Sequence, residues 1–214
     1  MPTPATPPSV RPHSRSTATD LPIVETFHSV QGEGLWMGVS AFFIRLAGCD
    51  VGCPWCDTKQ SWHRHHPYQA VSQLVAAAQA AQPKFVVITG GEPLMHDLGP
   101  LTQSLQGQGL RVHLETSGAH TLSGQFDWIT LSPKRYKPPQ AAIYPQVNEL
   151  KAVIAAVEDF DWAEAQAARV PTTTVKLLQP EWNTPESQNW IVDYVKQHPD
   201  WRVSLQTHKF LGVR

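Results

Sequence analysis

The stretch AFFIRLAGCDVGCPWCDT (Ala41–Thr58) decides the fold. Its first seven residues, Ala41–Ala47, are apolar apart from Arg45 and read as a β-strand. Directly after it come three cysteines spaced C-x3-C-x2-C: Cys49, Cys53 and Cys56. They are the chain's 3 cysteines. An odd number in one short loop is a poor disulfide framework, and core thiols would not cluster in this way. A loop carrying Gly48, Gly52 and Pro54 lets its thiolates surround one centre. Two centres fit: zinc, with His63, His65 or His66 as a fourth ligand, and an iron–sulfur cluster with one iron left without a protein ligand.

Outward from this loop, strands alternate with helices. Strands are predicted at Lys84–Thr89, Leu110–Glu115, Trp128–Ser132, Leu150–Ile154, Thr174–Leu178 and Arg202–Thr207. Helices are predicted at Tyr68–Gln82, Asp97–Gln106, Asp161–Arg169 and Thr184–Gln197, the last with Thr184 as cap and Pro185 in first position. Alternation of this kind predicts parallel βαβ units in one sheet. Phe42, Ile44 and Leu46 share one face of the first strand, and Arg45 shares the other with Ala41, Phe43 and Ala47. Arg111, His113 and Glu115 likewise oppose Leu110, Val112 and Leu114, and Val203 and Leu205 oppose Ser204, Gln206 and His208. A face this polar does not suit a filled barrel interior, so an open, ligand-holding partial barrel is expected. The alternative, an exposed sheet face, is uncommon for parallel sheets.

Composition narrows the class. The chain has 214 residues, 41% hydrophobic and 16% charged, with 17 Lys plus Arg against 18 Asp plus Glu. A net charge of -1 argues against a broad electrostatic grip on nucleic acid or anionic lipid. No apolar run reaches membrane-spanning length, and no secretory signal opens the chain, so a cytoplasmic protein is expected. Met1–Asp20, with five prolines among Ser, Thr and Ala, reads as a disordered tail, and residues 21–214 as one domain.

The cysteine loop after the first strand of a βα series resembles the radical S-adenosylmethionine (SAM) superfamily. KFVVITGGEP (Lys84–Pro93) strengthens the likeness, because its Gly90-Gly91-Glu92-Pro93 is similar to the superfamily's GGEP motif. Glycine there permits close approach of backbone to a ligand at a strand's carboxyl end. The resemblance implies a partial (β/α)6 barrel, a 4Fe–4S cluster on Cys49, Cys53 and Cys56, and SAM chelated by the open iron and cleaved on reduction. FHSVQGEG (Phe27–Gly34), Asp57-Thr58, LETSG (Leu114–Gly118), LSPK (Leu131–Lys134), NELK (Asn148–Lys151), LLQPEW (Leu177–Trp182) and LQTHKFLG (Leu205–Gly212) narrow it. Together they resemble the 7-carboxy-7-deazaguanine synthase family, from Phe27 to the end of the chain. That implies conversion of 6-carboxy-5,6,7,8-tetrahydropterin to 7-carboxy-7-deazaguanine with loss of ammonia, feeding 7-deazapurines such as queuosine. It also implies Mg2+, a reductant such as flavodoxin or ferredoxin, and a homodimer.

By the same resemblance, Trp55, Asp57, Gly90, Gly91, Glu92, Glu115, Ser117, Ser132, Pro133, Lys134 and Gln179 face SAM. Val30, Gln31, Gly32, Glu33, Arg45, Thr89, His208 and Arg214 face the pterin, and Thr58 is the Mg2+ ligand. The residue types suit these roles: a carboxylate accepts two hydrogen bonds from an amino–amide edge, and a guanidinium forks a carboxylate. Each has a plainer alternative: a hairpin turn for Gln31–Gly34, a structural ion pair for Arg45, a cap or turn hydroxyl for Thr58, and a surface loop for His208. Gly212 permits a fold-back that brings the chain end to the pterin. Two rival functions remain. A glycyl-radical-enzyme activase shares the cysteine and GGEP motifs but is not expected to carry QGEG or Asp57-Thr58. A non-catalytic zinc-binding module would be colourless where a cluster protein is brown.

Overall fold

The computed structural model describes residues 20–63 and 65–214. The tail expected over Met1–Asp20 lies outside the described residues, except that Asp20 is already the first residue of a strand. The strands are β1 (Asp20–Val30), β2 (Ser40–Leu46), β3 (Tyr68–Ala70), β4 (Phe85–Gly90), β5 (Val112–Thr116), β6 (Trp128–Leu131), β7 (Glu149–Ile154), β8 (Val175–Pro180) and β9 (Trp201–Val203). The helices are α1 (Val71–Ala81), α2 (Gly99–Gly107), α3 (Asp159–Ala167), α4 (Glu186–Gln197) and α5 (Thr207–Leu211). One sheet holds all nine described strands in the order β3-β1-β2-β4-β5-β6-β7-β8-β9. From β2 to β9 every neighbouring pair is parallel, while β1 and β3 add antiparallel edges.

This is the expected mostly parallel partial barrel, with fewer crossover helices than six full βα units. A loop joins β5 to β6, and a 3-10 turn at Ala141–Gln146 stands between β6 and β7. Helices cover the outer face. The outer core joins Phe42, Ile44 and Leu46 of β2 to Val86 and Ile88 of β4, Val112 and Leu114 of β5, and Leu74 and Leu101 of the helices. The opposite strand face looks into the lumen. Ala41, Phe43, Phe85 and Val87 fill its lower part, with Phe27, Trp36 and Val39 packed against them. The upper lumen is left to polar side chains.

Four local expectations need correction. The strand at Ala41–Ala47 is not the first: β1 precedes it, and a register shift between Ile23 and Glu25 breaks the alternation that would have revealed it. Tyr68–Ala70 is an edge strand on β1, not helix, and α1 begins at Val71. Thr184 does not cap α4: its hydroxyl donates to Glu181 Oε2 (2.9 Å), and Pro185 occupies the cap position. The final strand stops at Val203, and residues 207–211 coil into α5. The facing expected there is kept, with Ser204 buried on the lumen side, but Val203 and Leu205 are exposed rather than packed on helices. Ser204 Oγ donates to Gln179 Oε1 (3.0 Å), so the hydroxyl turns inward while the apolar pair stays outside.

Candidate active site

Cys49, Cys53 and Cys56 sit on the loop after β2, over the carboxyl ends of the parallel strands. All three line a cavity of about 430 Å³ together with Glu92, Ser117, Ser132, Lys134 and Gln179. Burial raises the Cys49 and Cys53 thiols above their ordinary pKa, so metal binding there must displace protons. Trp62 Nε1 donates to Cys56 Sγ (3.3 Å), the kind of outer hydrogen bond that tunes a cluster sulfur. Among the described residues no histidine lines this cavity. His63 and His65 are exposed, and His66 Nε2 contacts Gln60 O at 3.0 Å. Among the described residues no group of three His, Cys, Asp or Glu side chains suits a single metal ion. Three soft thiolates around a roomy wall fit an iron–sulfur cluster; the Cys3His zinc site lacks its histidine at the wall.

The GGEP turn interlocks with this loop. A Cβ on Gly91 would lie 2.2 Å from Gly48 O and 2.8 Å from Cys49 Cβ, and one on Gly90 (φ +138°) would lie 2.2 Å from Leu46 O. Glycine is required at both positions because another backbone occupies the side-chain space. Glu92, 1% exposed, accepts from Leu94 N (3.0 Å), Thr116 Oγ1 (2.5 Å), Ser117 N (2.8 Å) and Ser117 Oγ (2.5 Å). Its carboxylate is saturated, so it ties the turn to the end of β5. Lys134 Nζ donates to Ser132 O (2.8 Å) and Ser132 Oγ (2.5 Å), and stands 5.3 Å from the centre of the Trp55 ring. Burial lowers its pKa to about 8. Pro133 is buried and absent from the cavity wall.

A second cavity of about 260 Å³ adjoins the first, sharing Trp55, Asp57, Thr89, Gly90, Glu115 and Gln179 in its wall. Val30, Gln31, Gly32, Glu33, Arg45, Thr58, His208 and Arg214 line it. Its floor is the connection from β1 to β2, a hairpin closed by Gln31 N donating to Val39 O (2.8 Å). The connection is thus both a turn and a wall. Leu35 N donates to Glu149 Oε2 (3.0 Å) and Gly34 N to Ser204 Oγ (3.1 Å), which pin it under β7 and β9. Burial raises the Glu149 carboxyl to about 6. Lys151 Nζ donates to Glu33 Oε2 and to Glu115 Oε2 (3.0 Å). Burial alone would raise the Glu33 pKa, but the Lys151 charge and hydrogen bond overcome it and hold the carboxyl at about 2.

Arg45 is ion-paired, as its plainer reading had it: its Nε donates to Glu25 Oε1 (2.9 Å). Glu25 Oε2 also pairs with Arg214 (2.7 Å). Both guanidinium groups still belong to residues of the cavity wall. Thr58 Oγ1 donates to Asp57 Oδ1 (3.2 Å), so these two side chains bring oxygen to the junction of the cavities.

The radical SAM superfamily profile matches residues 43–137. A 7-carboxy-7-deazaguanine synthase of Synechocystis sp. is 61% identical over 207 residues, covering 96% of this chain and all of the relative. The chain belongs to the 7-carboxy-7-deazaguanine synthase family. The protein of that name from Escherichia coli is 34% identical over 90% of this chain and 98% of its own length. The crystal structure of QueE from Escherichia coli superposes with a TM-score of 0.79 at 33% identity, covering 88% of this chain and 95% of that one. As a member of the 7-carboxy-7-deazaguanine synthase family, the protein is a radical SAM lyase. The site carries Lys151 and Glu25, which motif reading left unassigned, and Gln206, which the polar face of the last strand placed at the mouth without a role. Lys151 stood inside the quoted NELK, and Gln206 inside LQTHKFLG; Glu25 gave no signal, because its role follows from pairing with Arg45 across β1 and β2.

Proposed function

We propose that the protein converts 6-carboxy-5,6,7,8-tetrahydropterin to 7-carboxy-7-deazaguanine with release of ammonia. The observation that carries this reading is the junction of two cavities, one walled by the three thiols and one by paired carboxylates and guanidiniums. Cys49, Cys53 and Cys56 hold a 4Fe–4S cluster, and Ser132, Lys134, Gln179 and the Gly90-Gly91 turn hold SAM beside it. When bound, cluster and SAM supply one-electron, hydrogen-abstracting chemistry. The chain's own residues bind and orient the other reactant. Glu33, and Glu115, which was expected to face SAM but lines both cavities, accept hydrogen bonds from the amino and amide N–H groups of the pterin ring. Arg45, steadied through Nε by Glu25, turns its remaining N–H groups to the carboxylate.

Mg2+ binds with the substrate, because Thr58 and Asp57 offer too few oxygens alone and Mg2+ keeps water or substrate ligands. Flavodoxin or ferredoxin is the proposed reductant, in a cytoplasmic setting. A homodimer is supported by apolar surface beyond the sheet edge, where Phe210 and Leu211 are each 65% exposed. Among the described residues no helix is long and apolar enough to cross a membrane. Anaerobic incubation with reductant, SAM, Mg2+ and the carboxypterin, read by mass spectrometry, tests the reading. The deazaguanine product and its loss in Cys53→Ala are expected; no product from iron-replete protein overturns it.

A further inference from the structure

We propose that Lys151 is a positioning residue that keeps Glu33 and Glu115 ionised together, so that the cavity selects rings presenting N–H donors to this pair. The proposal rests on the pterin reading above and deepens it. Lys151 lies on β7, 3% exposed, with its ammonium between the two carboxylates. The outer oxygens have their own donors: Gln206 Nε2 to Glu33 Oε1 (2.9 Å) and Gln31 Nε2 to Glu115 Oε1 (2.8 Å). Each of these partners donates, so the surroundings are arranged for two anions. Of two carboxylates sharing one site, one holds its proton to a higher pH unless a cation stands between them.

The other charged groups facing this site do not substitute for Lys151. Glu149, two residues earlier on the same face of β7, adds negative charge. Lys134, from the loop after β6, is bound to Ser132; Arg45 of β2 is bound to Glu25; and Lys209 of α5 is bound to Asp57 (3.0 Å). His208 of α5 favours an ionised Glu33 from a distance. Burial would strip the proton from Lys151, but the Glu115 and Glu33 charges reverse that and raise its pKa.

The consequence is a specificity rule. Two ionised carboxylates accept from a 2-amino ring with its neighbouring N–H, and they repel a 2-oxo ring that turns an acceptor toward them. Without the ammonium, one carboxyl retains a proton near neutrality, can donate, and the discrimination collapses.

The test uses the full chain, with Lys151→Met and Lys151→Arg beside the wild type, and Lys151→Gln as a second neutral variant should the Met variant fail to fold. Infrared difference spectra report protonated carboxyl groups directly, without ligand. Calorimetry with 6-carboxypterin and 6-carboxylumazine from pH 6 to 9 reports selection. The wild type should prefer the amino ring with nearly constant affinity. The neutral variants should gain a carboxylic-acid band at neutral pH, bind the pterin roughly tenfold or more weakly at pH 6, and recover as pH rises. Their preference for the amino ring should shrink, and Lys151→Arg should restore it. A neutral variant with no new band, or with an equal loss at every pH for both rings, overturns the proposal. A wild type that binds neither ring overturns the pterin reading, while the infrared band still decides the role of Lys151.

Discussion

Arg45 is the one charged side chain on β2, and the register of the sheet places it opposite Glu25. The ion pair through Nε fixes the plane of the guanidinium and commits only one of its five N–H groups. A lysine at this position keeps the charge but loses the fork and the clamp by Glu25. Arg45→Lys should therefore raise the Michaelis constant for the carboxypterin about ten- to hundredfold, the cost of one charge-assisted bond of ~1.5–3 kcal/mol, with unchanged iron content. Steady-state kinetics beside iron analysis checks this; an unchanged Michaelis constant removes Arg45 from substrate recognition. His113 makes a second argument at this scale. It stacks on Phe85 with ring centres 3.9 Å apart, and its Nε2 has no hydrogen-bond partner among the described residues. Burial, then the nearby Arg111 charge, lowers its pKa to about 4. A base that resists protonation in the folded state contributes stability above its unfolded pKa of about 6.5, and this is lost as pH falls toward 4. His113→Phe should flatten the decline of the melting temperature between pH 6.5 and 4; equal slopes for both proteins would contradict this.

The loop carrying the cysteines and the turn after β4 act as one unit, because Gly91 and Gly48 are in backbone contact. Gly91 N also donates to Leu46 O (3.0 Å), and Glu92 N to Gly48 O (2.9 Å). Gly91→Ala forces a methyl group into the Gly48 carbonyl, so either the turn or the cysteine loop must shift. Such overpacking costs ~1–3 kcal/mol, and the expected result is a melting temperature several degrees lower with less iron bound per chain. Wild-type iron content and melting in this variant would show that the two segments move independently. This element was legible in the sequence because its chemistry is local: short cysteine spacing after a strand, then Gly-Gly at the end of the next. The network around Lys151 was not, since its partner Glu33 lies 118 positions away along the chain. The end of the chain misled for a related reason. Alternation through Val203 and Leu205 has the period of a strand, but at a sheet edge no neighbour sustains it, and α5 forms instead.

A mostly parallel sheet with too few units to close leaves a gap between β9 and residues 25–30 of β1, which β3 does not cover, and here residues 204–214 span it. Thr207 N and Thr207 Oγ1 both donate to Gly32 O (2.9 and 2.8 Å). Gln206 reaches Glu33, Ser29 Oγ donates to the main-chain oxygen of Arg214 (2.6 Å), and the Arg214 side chain meets Glu25. Gly212, at φ +65°, ends α5 and turns the chain back toward β1. None of these contacts touches a cysteine, and they serve the second cavity; the segment reaches the cluster loop at Asp57, through Lys209 (3.0 Å). Deleting residues 207–214 should open that cavity to water and weaken binding of the carboxypterin by at least about tenfold, since several polar contacts disappear together. The brown chromophore and iron content should persist. Spectroscopy of the truncated protein and calorimetry with the pterin separate the two effects. Undiminished pterin binding after the deletion would mean that the nine strands alone enclose the substrate, and loss of the chromophore would mean that this segment also supports the cysteine loop.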